Sequence, residues 1–192
     1  MDLYHISLFI HIVTLVVAGG ATAVTKLAAS RREKARTVSE ALEWHSILIA
    51  GARVFPMCIA AFVVTGMIML GRTTVQPWHS GFVIAGVVGS VLLLAAGAYL
   101  GVQGNGLKQA LTQMAKQGGD RPVPRLIPPP LVAVLPTVNT GIALAVAFDM
   151  TAKPSVPVSL AVLAVGALVG LAIAAPSPVR QSSKLPESAA DA

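Results

Sequence analysis

The sequence predicts an all-α protein: a polytopic transmembrane bundle of about five helices, with the N-terminus outside and the C-terminus cytoplasmic. Three observations carry this prediction. Five long apolar blocks fall at residues 4–27, 46–70, 79–101, 130–148 and 156–175. Each is close to the about 20 residues that a helix rising about 1.5 Å per residue needs to cross the hydrocarbon core. Charged residues make up only 11% of the chain, against roughly 25% in a soluble domain, which excludes a soluble globular fold. Lastly, the basic residues collect in alternate gaps. Arg31, Arg32, Lys34 and Arg36 follow the first block, Lys108, Lys116, Arg121 and Arg125 follow the third, and Arg180 and Lys184 lie in the tail. The other two gaps hold only Arg72 and Lys153. The positive-inside rule then sets the orientation.

In a soluble chain a net charge of +6 would suggest nucleic acid. Here the charges flank apolar blocks, so the partner expected is the bilayer with its anionic headgroups, and no nucleic acid. The location expected is the bacterial cytoplasmic (inner) membrane. Residues 1–176 read as a single transmembrane domain, and residues 177–192, rich in Ser, Ala and Pro, as a disordered cytoplasmic tail.

The first block lacks a basic segment before it and is longer than a signal-peptide core, so it reads as an uncleaved helix. Gly19, Gly20 and Ala21 suit close helix approach in lipid. Residues 28–45 read as a polar loop continuing as short surface helix, with Ser39, Glu40 and Glu43 at its start. Trp44 and Trp78 suit the interface. The second block carries Pro56, which predicts a kink, and the lone cysteine, Cys58, which reads as a small buried hydrophobe.

In the third block Gly81, Gly86, Gly89, Ser90 and Gly97 predict a close-packing face. Gly104 and Gly106 read as its end. After them Leu107, Ala110, Leu111 and Met114 recur at helical spacing and predict a short amphipathic helix on the inner surface. Gly118 and Gly119 stop it. Residues 128–130 suit the first turn of the fourth helix, Pro136 bends it, and residues 151–157 form a tight outer turn to the fifth.

Few polar groups remain inside the blocks. Arg53 lies about two turns into the second, where insertion scales assign an Arg a cost of about 2.5 to 3.5 kcal/mol. It shares a helix face with Met57, Ala60, Val64 and Met67, which therefore reads as facing inward, with Thr137 and Asn139 as partners. Arg53 reads as an anion clamp or as a side chain snorkelling to headgroups.

His11 lies about 10 Å inward from the outer end of the first helix, on the face of Tyr4, Leu8, Leu15, Ala18 and Thr22. His5 and His79 lie at the same outer side, offset from it, whereas His45 opens the second helix at the inner side. Met67, Met69, Asp2, Asp149 and Met150 also collect outside. Imidazole with thioether favours copper, and paired imidazoles favour haem iron. Candidate ligands are therefore His11, His5 and His79, with Arg53 as an anion partner and Met67 and Met69 as softer metal ligands. No nucleophile elbow, no phosphate loop and no carboxylate pair at a shared depth is present in the sequence, so no reaction is assigned from motifs.

His11 followed by Ala18, Gly19 and Gly20, then Thr65 and Gly66, then Asp149 and Met150 with Lys153 and Pro154 resembles a bacterial family of small predicted integral membrane proteins of unknown function. That family is similar to the membrane domain of the copper resistance D proteins and, more distantly, to the small membrane-bound protoporphyrinogen oxidase that works with haem. The likeness covers roughly residues 4–154. It implies haem b or copper, with His11 at the position of the family's helix-one histidine. The oxidase's basic residues around its third helix find only Arg72 here, which speaks against porphyrinogen oxidation. The expected function is therefore haem or copper binding near the outer face for redox or metal handling. Two other readings stand beside it, both without a required cofactor. One is an accessory or scaffold subunit of a larger membrane complex or homo-oligomer, and the other is a small-molecule carrier built around Arg53.

Overall fold

A computed structural model describes residues 2–72, 79–124 and 129–175. The elements run α1 (Leu3–Glu33), α2 (Val38–Ala52), α3 (Val54–Leu70), α4 (Gly81–Lys116), α5 (Pro130–Ala152) and α6 (Val156–Ala174). They make five spans long and apolar enough to cross a membrane, because α2 and α3 are two halves of one. The all-helical, five-span prediction agrees with this. The proposed tail, residues 177–192, lies outside the described residues, as do Trp78, Pro128 and Arg125.

The break between α2 and α3 falls at Arg53, three residues before Pro56. Proline has no N–H to give to the carbonyl of residue 52, and its ring crowds that same carbonyl. The kink therefore appears one turn ahead of the proline.

Antiparallel packing leaves two ends. The Asp2 end holds the start of α1, the end of α3, the start of α4 and the α5–α6 turn. The basic end holds Arg31 to Arg36 and the residues around Lys116 and Arg121. Helix α1 packs on α2 and α3, and α4 packs on α5 and α6. The two groups join chiefly where α2 meets α4, while α4 runs past α3 with little contact.

At the basic end two expectations are corrected. Helix α4 does not stop at Gly104 or Gly106 but runs unbroken for 36 residues. At about 1.5 Å per residue it far exceeds the about 30 Å hydrocarbon core. Leu107, Leu111 and Met114 are therefore not a separate surface helix. Their apolar face covers Val38 and Ala41 of α2, with Leu111 fully buried. Likewise, the expected surface helix near Ser39 is the first part of the second span.

The first turn of α2 has every free N–H satisfied. Val38 donates to the Arg121 carbonyl at 3.1 Å, Ser39 to Gly119 at 3.1 Å, and Ala41 to Thr37 at 3.0 Å. Glu40 donates to the Thr37 hydroxyl at 3.3 Å, while its own carboxylate accepts from the Arg36 N–H at 2.9 Å. This is a variant of the capping box. Gly118, at φ 137°, supplies the left-handed turn that brings the loop back over α2.

The closest helix contact is between α5 and α6. Gly141 and Gly166 place backbone against backbone, and a Cβ on Gly170 would lie 2.6 Å from Val138 Cα. On α4, Gly89 meets Val146, and Gly81 meets the α5–α6 turn. The expected roles of Gly19, Gly20 and Gly97 are not found: each faces open space. Close approach to α1 comes instead at Gly51, where a Cβ would lie 2.9 Å from Thr25 Cγ2.

Candidate functional site

The face of α1 that packs on α2 and α3 carries Ser7, His11, Thr14, Ala18, Ala21, Thr25 and Ala28. Each is buried or half-buried. These residues recur at alternating steps of four and three, the spacing that keeps one seam against a neighbouring helix. They are small or polar, which lets backbones approach in lipid. The face expected from the sequence, with Leu8 and Leu15, is rotated from this one, and Leu15 is exposed.

His11 is the polar centre of that seam. Its Nδ1 lies 2.8 Å from Thr65 Oγ1 on α3, and its ring meets Phe62 edge-on at 4.8 Å. Thr65 has one hydroxyl proton, which it donates to the Ala61 carbonyl at 2.6 Å. Toward the imidazole it therefore accepts, and the proton between them is carried by Nδ1. That assignment leaves the lone pair on Nε2. Orienting a histidine through one nitrogen so that the other is free is what outer-shell partners do for metal ligands.

The other histidines are placed differently. His5 and His79 are exposed, and the His5 ring meets Tyr4 edge-on at 5.6 Å. His45 is 1% exposed, and both its nitrogens are engaged. Nδ1 accepts from Arg32 Nη1 at 3.1 Å, so Nε2–H donates to the Gly104 carbonyl at 2.8 Å. His45 thus ties α1, α2 and α4 together near the basic end. The sequence placed it only at the inner opening of the second helix; its role depends on Arg32 and Gly104 arriving from two other helices.

Arg53 corrects a further expectation. It caps the α2–α3 break and is exposed, as are Met57, Ala60, Val64 and Met67. That face points away from the helices α3 packs on, because Cys58 and Thr65 on its other side are the buried residues. Neither Thr137 nor Asn139 partners Arg53: both sit on α5, which packs on α4 and α6, and the buried Asn139 Oδ1 has no hydrogen-bond partner. Met67 is exposed and Met69 half-buried. Among the described residues no three His, Cys, Asp or Glu side chains gather at metal-binding distance.

Two residues are fully enclosed at the Asp2 end: Asp149, expected among the outer polar residues, and Ser159, which had no role in the sequence reading. Asp149 and Ser159 are both 0% exposed, and the carboxyl oxygens and the hydroxyl have no hydrogen-bond partner. The available signal was their placement, since each lies the same number of residues from Pro154 in the turn between α5 and α6.

No family profile, characterised protein or solved structure matches the chain.

Proposed function

We propose that this is a multi-pass membrane protein that binds haem through His11, near the face carrying its N-terminus. The observation that carries the reading is the half-buried His11, oriented by Thr65 through Nδ1 and with Nε2 left as a lone-pair donor. Haem iron takes most of its ligands from the porphyrin, so it asks only one or two side chains of the protein. A copper ion held by protein alone asks for more, and His11 would need His5, His79, Met67 or Met69 beside it. Haem is therefore preferred to copper. Haem bound there would supply one-electron redox chemistry. The chain's own contribution is to hold the imidazole in one tautomer and to pack Phe62 against its ring. In this reading the N-terminus is outside, the C-terminus cytoplasmic, and the membrane the bacterial inner membrane.

The test is the absorbance spectrum and metal content of detergent-purified protein from cells supplied with both haem and copper. A Soret band that is lost in His11→Ala is expected. A preparation without a Soret band overturns the reading, and copper found in its place would assign the copper alternative.

One observation favours an accessory subunit as the second reading. The α3 face carrying Met57, Val64 and Met67 is uncovered, and α4 barely reaches it. A stable stoichiometric partner co-purifying from native membranes would support this, and a monodisperse, partner-free protein holding cofactor would oppose it.

A further inference from the structure

Asp149 and Ser159 lie in a helical hairpin whose register is set by glycines. Gly141 packs on Gly166, and Gly170 on Val138. Pro154 sits midway between Asp149 and Ser159, so in the antiparallel pair the two stand at one level. Both face the enclosed side, in line with Ala145 and Leu163 of the buried core. Helix α4 closes the third side. A Cβ on Gly81 would lie 2.5 Å from both Ser159 Oγ and the Pro154 carbonyl oxygen, and Met150 Cε reaches Gly86. The result is a small cup containing a carboxyl, a hydroxyl and a carbonyl, walled by small and apolar residues.

We propose that Asp149, together with Ser159, is a proton-binding site at this end of the bundle. An unpartnered carboxylate enclosed among apolar helices is costly, and intramembrane carboxyls are characteristically found in proton relays. Hydronium at the adjacent face supplies the proton, so that carboxylate and hydronium become carboxylic acid and water. The acid's new O–H is a donor for Ser159 Oγ, and the Ser159 proton is then free to turn to the Pro154 carbonyl. One Asp149 oxygen and Ser159 Oγ thereby gain partners, and the other Asp149 oxygen, now uncharged, is less costly to enclose.

The charged groups facing the cup are few. Helix α6 brings no titratable side chain, and at this end the segment just before α4 brings His79, which is exposed. From α5, Lys153 stands at the rim with its Nζ 5.9 Å from the Phe82 ring centroid. Lys153 is the competing counter-charge, and a metal cation is the other competing occupant.

The full-length protein in phosphatidylcholine vesicles is treated with dicyclohexylcarbodiimide, an apolar reagent that modifies carboxyls holding a proton, and the adduct is located by peptide mass spectrometry. Labelling of Asp149 is expected, falling as pH rises and equal in sodium and choline chloride. In Ser159→Ala the pH of half-labelling should move lower by about one unit, the equivalent of one hydrogen bond. Asp149→Asn, which mimics the neutral acid, should unfold at the wild-type temperature. Absence of the adduct, protection by sodium, labelling only in Lys153→Gln, or an unmoved midpoint in Ser159→Ala would each overturn the proposal.

Discussion

His45 on α2 donates from Nε2 to the backbone carbonyl of Gly104 on α4 at 2.8 Å, and this bond lies where the two helix groups of the protein meet. Arg32 closes the other side of the ring at 3.1 Å. Replacing His45 with Ala leaves a half-buried guanidinium and a carbonyl each short of a partner. The expected loss is about 1 to 3 kcal/mol for such groups, measured as a lower midpoint of unfolding in detergent. An unchanged midpoint would show that water replaces the imidazole freely.

Glycines separate into two classes by what a methyl group would touch. At Gly141 and Gly166 it meets the backbone of the facing helix, which has no room to give. Each change to Ala there should destabilise by about 1 to 3 kcal/mol, the range for overpacking. At Gly19 and Gly97 it meets nothing within 4 Å, and Ala should be neutral or favourable by up to about 1 kcal/mol through helix propensity. Steric trapping or denaturant titration of the four variants reads the contrast.

Thr65 is a positioning residue for His11. Thr65→Val removes the acceptor for Nδ1–H, and affinity for the haem proposed at His11 should fall about 10- to 100-fold, as for other outer-shell partners. Thr65→Ser keeps the hydroxyl and should restore it. Titration of haem into apoprotein, followed by absorbance, distinguishes the two; equal loss in both variants would assign Thr65 to packing alone.

Thr37 caps α2 through the Glu40 N–H at 3.3 Å. Thr37→Ala should cost about 1 kcal/mol, seen first as faster amide exchange at Glu40 and Ala41. Exchange that rises equally along α5 would mean the effect is not local.

Arg53 is exposed at the α2–α3 break, and among the described residues its side chain makes no hydrogen bond or ion pair. Arg53→Gln should therefore change unfolding free energy by less than about 0.5 kcal/mol. A loss of several kcal/mol would return Arg53 to a buried, paired role.

Much of the architecture was legible because it follows from local quantities. Span number comes from summed hydropathy, and the turn at Lys153 and Pro154 from its short polar break. The stop at Gly118 follows from a glycine in left-handed backbone. The end of α4 was not legible at Gly104, because a glycine costs a helix only about 1 kcal/mol and packing of Leu111 on Val38 and Ala41 outweighs it. The buried face of α1 was written in Ser7, His11, Thr14 and Ala18, but as small and polar residues rather than as an apolar stripe.

By itself the sequence determined that this chain is a five-span membrane bundle, that a turn falls at Lys153 and Pro154, and that His11 lies within a span. Only the tertiary structure decided which faces are enclosed. It turned Arg53 outward, joined His11 to Thr65, drew His45 between Arg32 and Gly104, and closed Asp149 and Ser159 away from solvent. The reason is physical. Lipid is as apolar as a packed interior, so both faces of a membrane helix carry the same residues, and the hydrophobic period that reveals a buried face in water is lost. Polar partners then identify the interior, and those partners come from different helices, at sequence distances that no local pattern spans.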